Sequence, residues 1–158
     1  MHAIRALAVF NAPDAEYNDN FIGYTLVDTK RAQMEVLLSL VLVSAGVIHL
    51  SDKMPLLNES GLELARKTVS AEPGEPGRPV DLFEDDYASL WIQKTAAGHR
   101  VLQINWTDDA KPFSFELQKH GISAEKARNF WNGSAVDVSS GKMEGILPAR
   151  SCLLAELS

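Results

Sequence analysis

The stretch from Asp86 to Trp106 limits the fold more than any other part of the chain, because apolar and polar residues alternate along it with a turn at its middle. In its second half Leu102, Ile104 and Trp106 share one parity, and the first half places Ala88, Leu90 and Ile92 on alternate positions. This period-2 pattern is typical of two strands that bury one face. Because Gly98 tolerates positive φ at the link between them, the sequence predicts a hairpin.

Further strand signatures follow this hairpin. Phe113 to Leu117 alternates in the same way, Asn132-Gly133 is a strong two-residue hairpin signal, and two more short runs cover Met143 to Leu147 and Ser151 to Leu157. Short strands with turn signals about every 8 to 12 residues are typical of sandwiches. The sequence therefore predicts an all-β antiparallel sandwich with Greek-key-like connections over residues 81–158.

The amino-terminal seventy residues show helical periodicity instead. Apolar residues at spacings of three and four predict a helix from Thr29 to Ala45. Val47 to Leu50 has the apolar, β-branched character of a short buried strand, and Ser60 with Glu63 has the form of a capping box that starts a second helix. A buried strand between two helices is typical of a parallel sheet covered by helices, so this half is predicted to be α/β.

A change of composition separates the two halves. Residues 70–79 contain three prolines and two glycines, which favours a linker over a continued helix. The predicted fold class is α+β, with an α/β segment at residues 1–70, a Pro/Gly linker at 71–80 and an antiparallel sandwich at 81–158.

Composition excludes several classes of partner. A net charge of -6 without clustered Lys and Arg argues against nucleic acid. The most apolar run, Val36 to Leu50, has 15 residues, whereas a membrane span needs about 20. The amino-terminal apolar patch is too short and too weakly basic for a secretory signal, and the sequence does not assign a cellular compartment.

The single cysteine, Cys152, allows no intramolecular disulfide, and the four histidines lack metal-ligand spacing.

Several segments together resemble the carboxyl-terminal part of clan D glycoside hydrolases, the α-galactosidase or melibiase group and its α-N-acetylgalactosaminidase relatives. In order, these segments are Ala45 to Asp52, Leu57 to Lys67, Arg78 to Phe83, Leu102 to Asp108, Asn129 to Gly133 and Leu147 to Cys152. The resemblance covers most of residues 29–158. It implies the last strand and helix of a (β/α)₈ barrel of the TIM type, followed by a sandwich domain.

The resemblance also implies where sugar would bind. Family members hydrolyse α-galactosides with two aspartates that lie upstream of the matched part, so no catalytic residue, cofactor or metal is assigned in this chain. The stretch from Asn18 to Phe21 resembles the family's Asn-Asp-Pro-Asp motif, which makes Asp19 a candidate sugar contact. Ser51 and Asp52 would lie at the carboxyl end of the eighth strand, the active-site face of such barrels. For both aspartates the alternative is an ordinary cap or turn residue.

Three functions stay open at this point. The first is a glycosidase fragment that is inactive alone, with carbohydrate as the partner of the parent enzyme. The second is a carbohydrate-binding module, in which Trp91, Trp106 and Trp131 stack on sugar, although the parity of Trp106 favours the core.

The third function is a structural or assembly domain. Two barrel strands cannot close a barrel, so the helix from Thr29 to Ala45 is predicted to have an uncovered face. The sequence therefore predicts a homo-oligomer that buries Val36, Leu40 and Val43.

Overall fold

The computed structural model describes residues 31–46, 48, 57–84 and 87–158. In this part of the chain two α-helices precede a set of strands that pair antiparallel throughout. The helices are α1 (Arg31–Ser44) and α2 (Glu59–Val69). The strands are β1 (Arg78–Pro79), β2 (Leu90–Thr95), β3 (Gly98–Asn105), β4 (Lys111–Glu116), β5 (Ala127–Asn129), β6 (Ala135–Val136), β7 (Lys142–Leu147) and β8 (Ser151–Leu157), with a 3₁₀ turn at Gln118–His120. The predicted α+β class is confirmed.

Helix α1 is buried on most of its circumference, as its nearly continuous apolar sequence predicts. Its largest contacts are with β8, β3 and β2, so it lies across the middle of the sheet. The helix ends where Ala45 adopts φ 52°, the left-handed conformation that often follows a last helical turn. The predicted helix is thus confirmed from Arg31 to Ser44.

Helix α2 starts two residues earlier than the predicted capping box. Asn58 is the N-cap, and its side-chain oxygen accepts a hydrogen bond from Gly61 N at 2.8 Å. Ser60 already lies inside the helix, where its hydroxyl accepts from Arg31 Nη1 at 3.0 Å. Glu63 likewise pairs with Arg31, at 3.0 Å. The capping-box prediction is wrong because Asn58, also a strong capping residue, takes the role first.

The strands form a six-stranded sheet in the order β1-β2-β3-β8-β5-β6 and a two-stranded sheet of β4 and β7. The predicted central hairpin is confirmed: Thr95 pairs with Gly98 across a two-residue turn. Gly98 has φ 149°, and a Cβ at this position would lie 2.1 Å from Leu157 O. A side chain here would therefore collide with the end of β8.

Both faces of the six-stranded sheet are buried, whereas the alternating pattern predicts only one. On β3 the neighbours Val101 and Leu102 are 1% and 0% exposed. Leu102 belongs to the helix-side core, formed between the helices and the sheet, with Leu154 and Trp131. Val101 belongs to the sheet-side core, between the two sheets. The one-face prediction is wrong because α1 and the second sheet cover opposite faces.

The remaining predicted strands are also present. Strands β4 and β7 pair with each other along their whole length, and β8 lies between β3 and β5. The Asn132-Gly133 signal joins β5 to β6, and Gly133 has φ 72°. The predicted strand from Val47 to Leu50 falls almost entirely outside the described residues.

The segment predicted as a linker is attached along most of its length. Glu75 N donates to Lys94 O at 2.8 Å, and Gly77 N donates to Val43 O at 2.8 Å. Gly74 forms a bridge with Thr95, and β1 pairs with β2. Residues 72–79 therefore join the end of α1 to the edge of the sheet. The division into separate domains stays a prediction.

The basis of the predicted homo-oligomer is corrected by the packing of α1. Val36, Leu40 and Val43 are 2%, 5% and 0% exposed within the single chain. The sheet covers the face of α1 that the sequence predicted a second copy of the chain would cover.

Neither described helix has the length and hydropathy that crossing a membrane requires.

Candidate functional site

The predicted sugar contacts Asp19, Ser51 and Asp52 lie outside the described residues, as does His49. Their assignment stays a prediction from the resemblance. The described part of the chain shows instead how the sheet is held against the helices, and which surfaces that arrangement leaves open.

Two of the three tryptophans belong to the core. Trp131 is 1% exposed, and its indole Nε1 donates to Ser39 Oγ at 2.9 Å. Trp91 is 6% exposed, and its Nε1 is buried without a hydrogen-bond partner. Trp106 is half-buried and donates from Nε1 to Ala88 O at 3.2 Å. The core interpretation, made from sequence for Trp106, holds in part, because Trp106 is half-buried and packs against the helix-side core. With Trp91 and Trp131 buried, these three do not form an open stacking platform.

Ser39 also contacts the single cysteine. The Cys152 Sγ lies 3.6 Å from Ser39 Oγ, between α1 and β8. Burial raises the pKa of the Cys152 thiol to about 12. The thiolate is the reactive form of cysteine, so this side chain is chemically inert at neutral pH. The Cys152 side chain is partly buried and packs against the helix-side core.

A row of polar side chains crosses four strands of the six-stranded sheet. The strand register places Gln93 opposite Arg100, Arg100 opposite Glu156, and Glu156 opposite Arg128. Glu156 Oε1 accepts from Arg100 Nε at 3.3 Å, and Glu156 Oε2 accepts from Arg128 Nε at 3.0 Å. One carboxylate thus holds two guanidinium groups, of which Arg100 is 2% exposed and Arg128 mostly exposed.

The buried end of this row binds backbone carbonyls. Arg100 Nη1 donates to Glu72 O at 2.8 Å, and Gln93 Nε2 donates to Leu42 O and Glu75 O, each at 3.0 Å. These carbonyls belong to the end of α1 and to the segment after α2. The Arg100 guanidinium also lies 5.6 Å from the centre of the Phe130 ring, a cation–π distance.

Sequence reasoning did not single out Arg100 or Glu156. The available signal was a charged residue at a core position of an alternating strand, since Arg100 shares the parity of Leu102 and Ile104. A buried charge at such a position requires a paired partner.

An open groove of about 760 Å³ lies at the end of this row. It runs from the β2–β3 turn past the last residues of β8 to the β5–β6 hairpin. Charged side chains and small apolar ones share its wall, including Arg100, Arg128, Val136, Glu156 and Leu157.

Carboxyl groups elsewhere in the described chain are arranged for ion pairing. Hydrogen bonds from Arg31, Arg150 and Lys119 lower the pKa of the Glu63, Asp108 and Glu116 carboxyls respectively. These groups are ionised at neutral pH and act as acceptors, whereas a general acid of a glycosidase needs a raised pKa. The described residues contain no cluster of three or more His, Cys, Asp or Glu side chains suited to a metal ion.

The described architecture matches solved glycosidase structures. A GH27 β-L-arabinopyranosidase from Geobacillus stearothermophilus aligns with 82% of this chain at TM-score 0.69 and 16% identity, and the match covers 30% of that enzyme. α-Galactosidase I from Mortierella vinacea aligns with 80% of this chain at TM-score 0.63 and 10% identity, covering 35% of its own chain. This chain has the fold of part of a GH27 glycosidase. No family model and no curated protein sequence matches it.

The predicted resemblance to α-galactosidase-type glycoside hydrolases is therefore confirmed for the fold. An α-galactosidase from Saccharomyces cerevisiae, solved with raffinose, also aligns, with TM-score 0.55, 10% identity and coverage of 85% of this chain and 46% of that one. This chain spans about a third of the length of the first two matched enzymes. The sequence identity to these three structures is 10% to 16%.

Proposed function

We propose that this chain is the carboxyl-terminal part of a glycoside hydrolase that acts on α-galactosides or related sugars, and that it is not catalytic alone. The observation that carries the proposal is the agreement between two independent lines. Six sequence segments resemble that part of the α-galactosidase group in the same order, and the fold aligns with about 30% of a GH27 enzyme at TM-score 0.69.

The packing of the helices supports the same assignment. In the interpretation from sequence, α1 and α2 lie in the segment that resembles the end of a barrel, and the sandwich follows them. The helix-side core joins these two helices to the six-stranded sheet through Leu64, Leu102 and Trp131. Because the sandwich shares this core with the two helices, we expect it to be held rigidly against the rest of a barrel.

The rest of the enzyme would have to supply the catalytic carboxyl groups. Retaining hydrolysis needs two carboxyl groups about 5 to 5.5 Å apart, one of them a general acid with a raised pKa. The resemblance places both catalytic aspartates upstream of the matched segments. Asp19, Ser51 and Asp52 would then contribute only sugar contacts.

Hydrolysis assays on the purified chain test the proposal. With nitrophenyl α-galactopyranoside and nitrophenyl β-L-arabinopyranoside as substrates, we expect no release of nitrophenol above the uncatalysed rate. The Asp19→Asn/Asp52→Asn double variant serves as a matched control for any trace of activity. Turnover by the natural chain, whether or not it survives in the double variant, would contradict the claim that the chain lacks its own catalytic groups.

A second test reads the genome. We expect the sequence upstream of this chain to encode further strand–helix units in the same frame or in a neighbouring one, with two aspartates at strand ends. An upstream region that encodes an unrelated fold would contradict the assignment as the end of a glycosidase.

A further inference from the structure

The groove at the end of the polar row has the dimensions of a ligand site. Its volume of about 760 Å³ falls within the range of small-molecule pockets, which is roughly 300–1,000 Å³. The groove lies at the end of the sheet where the β2–β3 turn and Leu157 are found. Its walls come from the sandwich and from Glu72, in the segment after α2.

The charges of the groove nearly cancel. Three cationic side chains line it, namely Arg100, Lys126 and Arg128. Four acidic side chains face them, namely Glu72, Glu125, Asp137 and Glu156. A site for a phosphate or another anion needs an excess of basic groups, and a cation site needs the reverse. The balance favours an uncharged ligand.

The residues that line the groove narrow the class of ligand further. Among the described residues that line the groove there is no Phe, Tyr or Trp, and His99 is the one aromatic side chain, so the groove offers no broad ring surface for stacking a nucleobase. Its apolar members are small or aliphatic, such as Ala135 and Val136. What the groove does offer is carboxylates and guanidinium groups side by side. A ligand hydroxyl both donates and accepts hydrogen bonds, so neighbouring hydroxyls match such paired groups.

The pairing at the groove is fixed before any ligand arrives. Arg128 uses Nε and Nη2 on the Glu156 carboxylate, at 3.0 Å each, and its side chain is 69% exposed. Glu156 is in turn held by the buried Arg100 at 3.3 Å. Fixed polar groups lose little conformational entropy when a ligand binds. We propose that this groove is a binding site for a neutral saccharide, formed by residues other than Asp19, Ser51 and Asp52.

The proposal rests on the groove alone and does not depend on the function proposed above. A chain without hydrolytic activity can bind sugar here, and a chain with such activity can leave this groove empty. Binding and turnover therefore test the two proposals separately.

Amide chemical shifts of the full chain, titrated with raffinose and with galactose, measure this binding. We expect saturable shifts that are centred on Arg128, Val136 and Glu156, with a dissociation constant in the range of about 1 to 10 mM. Arg128→Leu removes the outer guanidinium and should weaken binding about tenfold, as expected for the loss of a charged hydrogen-bond donor. Arg150→Leu is the matched control, because Arg150 is also an exposed, ion-paired arginine but lies outside the groove.

The remaining outcomes are also decisive. If Arg128→Leu lowers the melting temperature, Asp137→Asn replaces it as the test, with the same weakening expected. Galacturonate that binds more tightly than galactose would show an anion site and overturn the proposal. Unchanged spectra at 50 mM sugar, or shifts confined to residues outside the groove, would overturn it too.

Discussion

The two faces of the six-stranded sheet are buried by different means. The helix-side core packs α1 and α2 on the sheet, whereas the sheet-side core packs a second, two-stranded sheet on it. On β3 the neighbours Leu102 and Val101 serve opposite cores, and both are almost fully buried. Alternation along a strand therefore identifies the strand, but it does not identify what covers each face.

The two cores also differ in how polar groups tie them together. Ser39, Gln93 and Arg100 are buried on the helix side and bind groups that are distant in sequence. On the other side Asn105 binds backbone carbonyls, since its Nδ2 donates to Asp109 O at 2.8 Å and to Leu147 O, at the end of β7, at 3.1 Å. Polar groups on the helix side thus connect helix α1 and the segment after α2 to the sheet, whereas Asn105 connects β3 of the six-stranded sheet to β7 of the second sheet.

Shortening one side chain on each face gives the largest expected effect. Leu102→Ala should lower the free energy of unfolding by about 2–5 kcal/mol, and Val101→Ala by about 1.5 kcal/mol from its smaller volume. Ile146→Ala, at a side chain 71% exposed, is the control and should stay within about 0.5 kcal/mol. Urea denaturation measures all three. A Val101→Ala effect as small as that of Ile146→Ala would show that the sheet-side core is wrongly described.

The two arginines on Glu156 sharpen the comparison between buried and exposed pairing. Arg100→Met should cost about 3 kcal/mol, because it leaves the buried Gln93 Oε1 and the Glu72 carbonyl without their donor and removes the ion pair between the buried guanidinium and Glu156. Arg128→Met should cost at most about 1 kcal/mol, because its side chain is 69% exposed. Equal losses in thermal and urea unfolding would contradict the assigned burial.

The Ser39–Trp131 bond tests the polar tether of the helix side. Ser39→Ala leaves the Trp131 indole N–H buried without its acceptor and should cost about 1–3 kcal/mol. The double variant Ser39→Ala/Trp131→Phe removes both partners, so its loss should fall short of the sum of the two single losses. Strict additivity in a double-mutant cycle would argue that this hydrogen bond contributes nothing.

The smallest expected effect is on the stability of the folded chain at alkaline pH. Burial raises the pKa of the Cys152 thiol to about 12, against about 8.5 in an unfolded chain. Because the folded state holds its proton more tightly, this contribution to stability is complete below about pH 8.5 and is lost as the pH rises towards 12. Cys152→Ala should therefore lose less stability than the natural chain between pH 9 and 11. Rapid thiol labelling of the folded chain at pH 8 would contradict the raised pKa of this thiol.

Local sequence patterns predicted where the strands lie better than they predicted what packs against each strand. The central hairpin, β4, β7, β8 and the Asn132-Gly133 turn follow from alternation and turn chemistry, which act over a few residues. The burial of Val101 depends on the second sheet, whose strands begin at Lys111 and Lys142, so no local pattern reveals it. The capping role of Asn58 was missed because two adjacent caps compete, and only the tertiary contact of Ser60 and Glu63 with Arg31 decides between them.

The candidate sites show the same difference between what the sequence indicates and what only the folded chain reveals. The resemblance supplied Asp19, Ser51 and Asp52, and the fold comparison supports the family without reaching those residues. The groove beside Arg128 was invisible in sequence, because it is assembled from the ends of strands whose order in the sheet differs from their order in the chain.

Denaturation of the whole chain, followed simultaneously by helical circular dichroism and tryptophan fluorescence, tests most directly whether helices and sheet share one core. Because the helix-side core includes Leu64 from α2 and Leu102 from β3, we expect the two signals to change at one urea concentration. Residues 81–158 produced alone should then lack a cooperative transition, since one face of the sheet would be bare. Two separated transitions in the whole chain, with a cooperative transition in the isolated segment, would contradict a shared core.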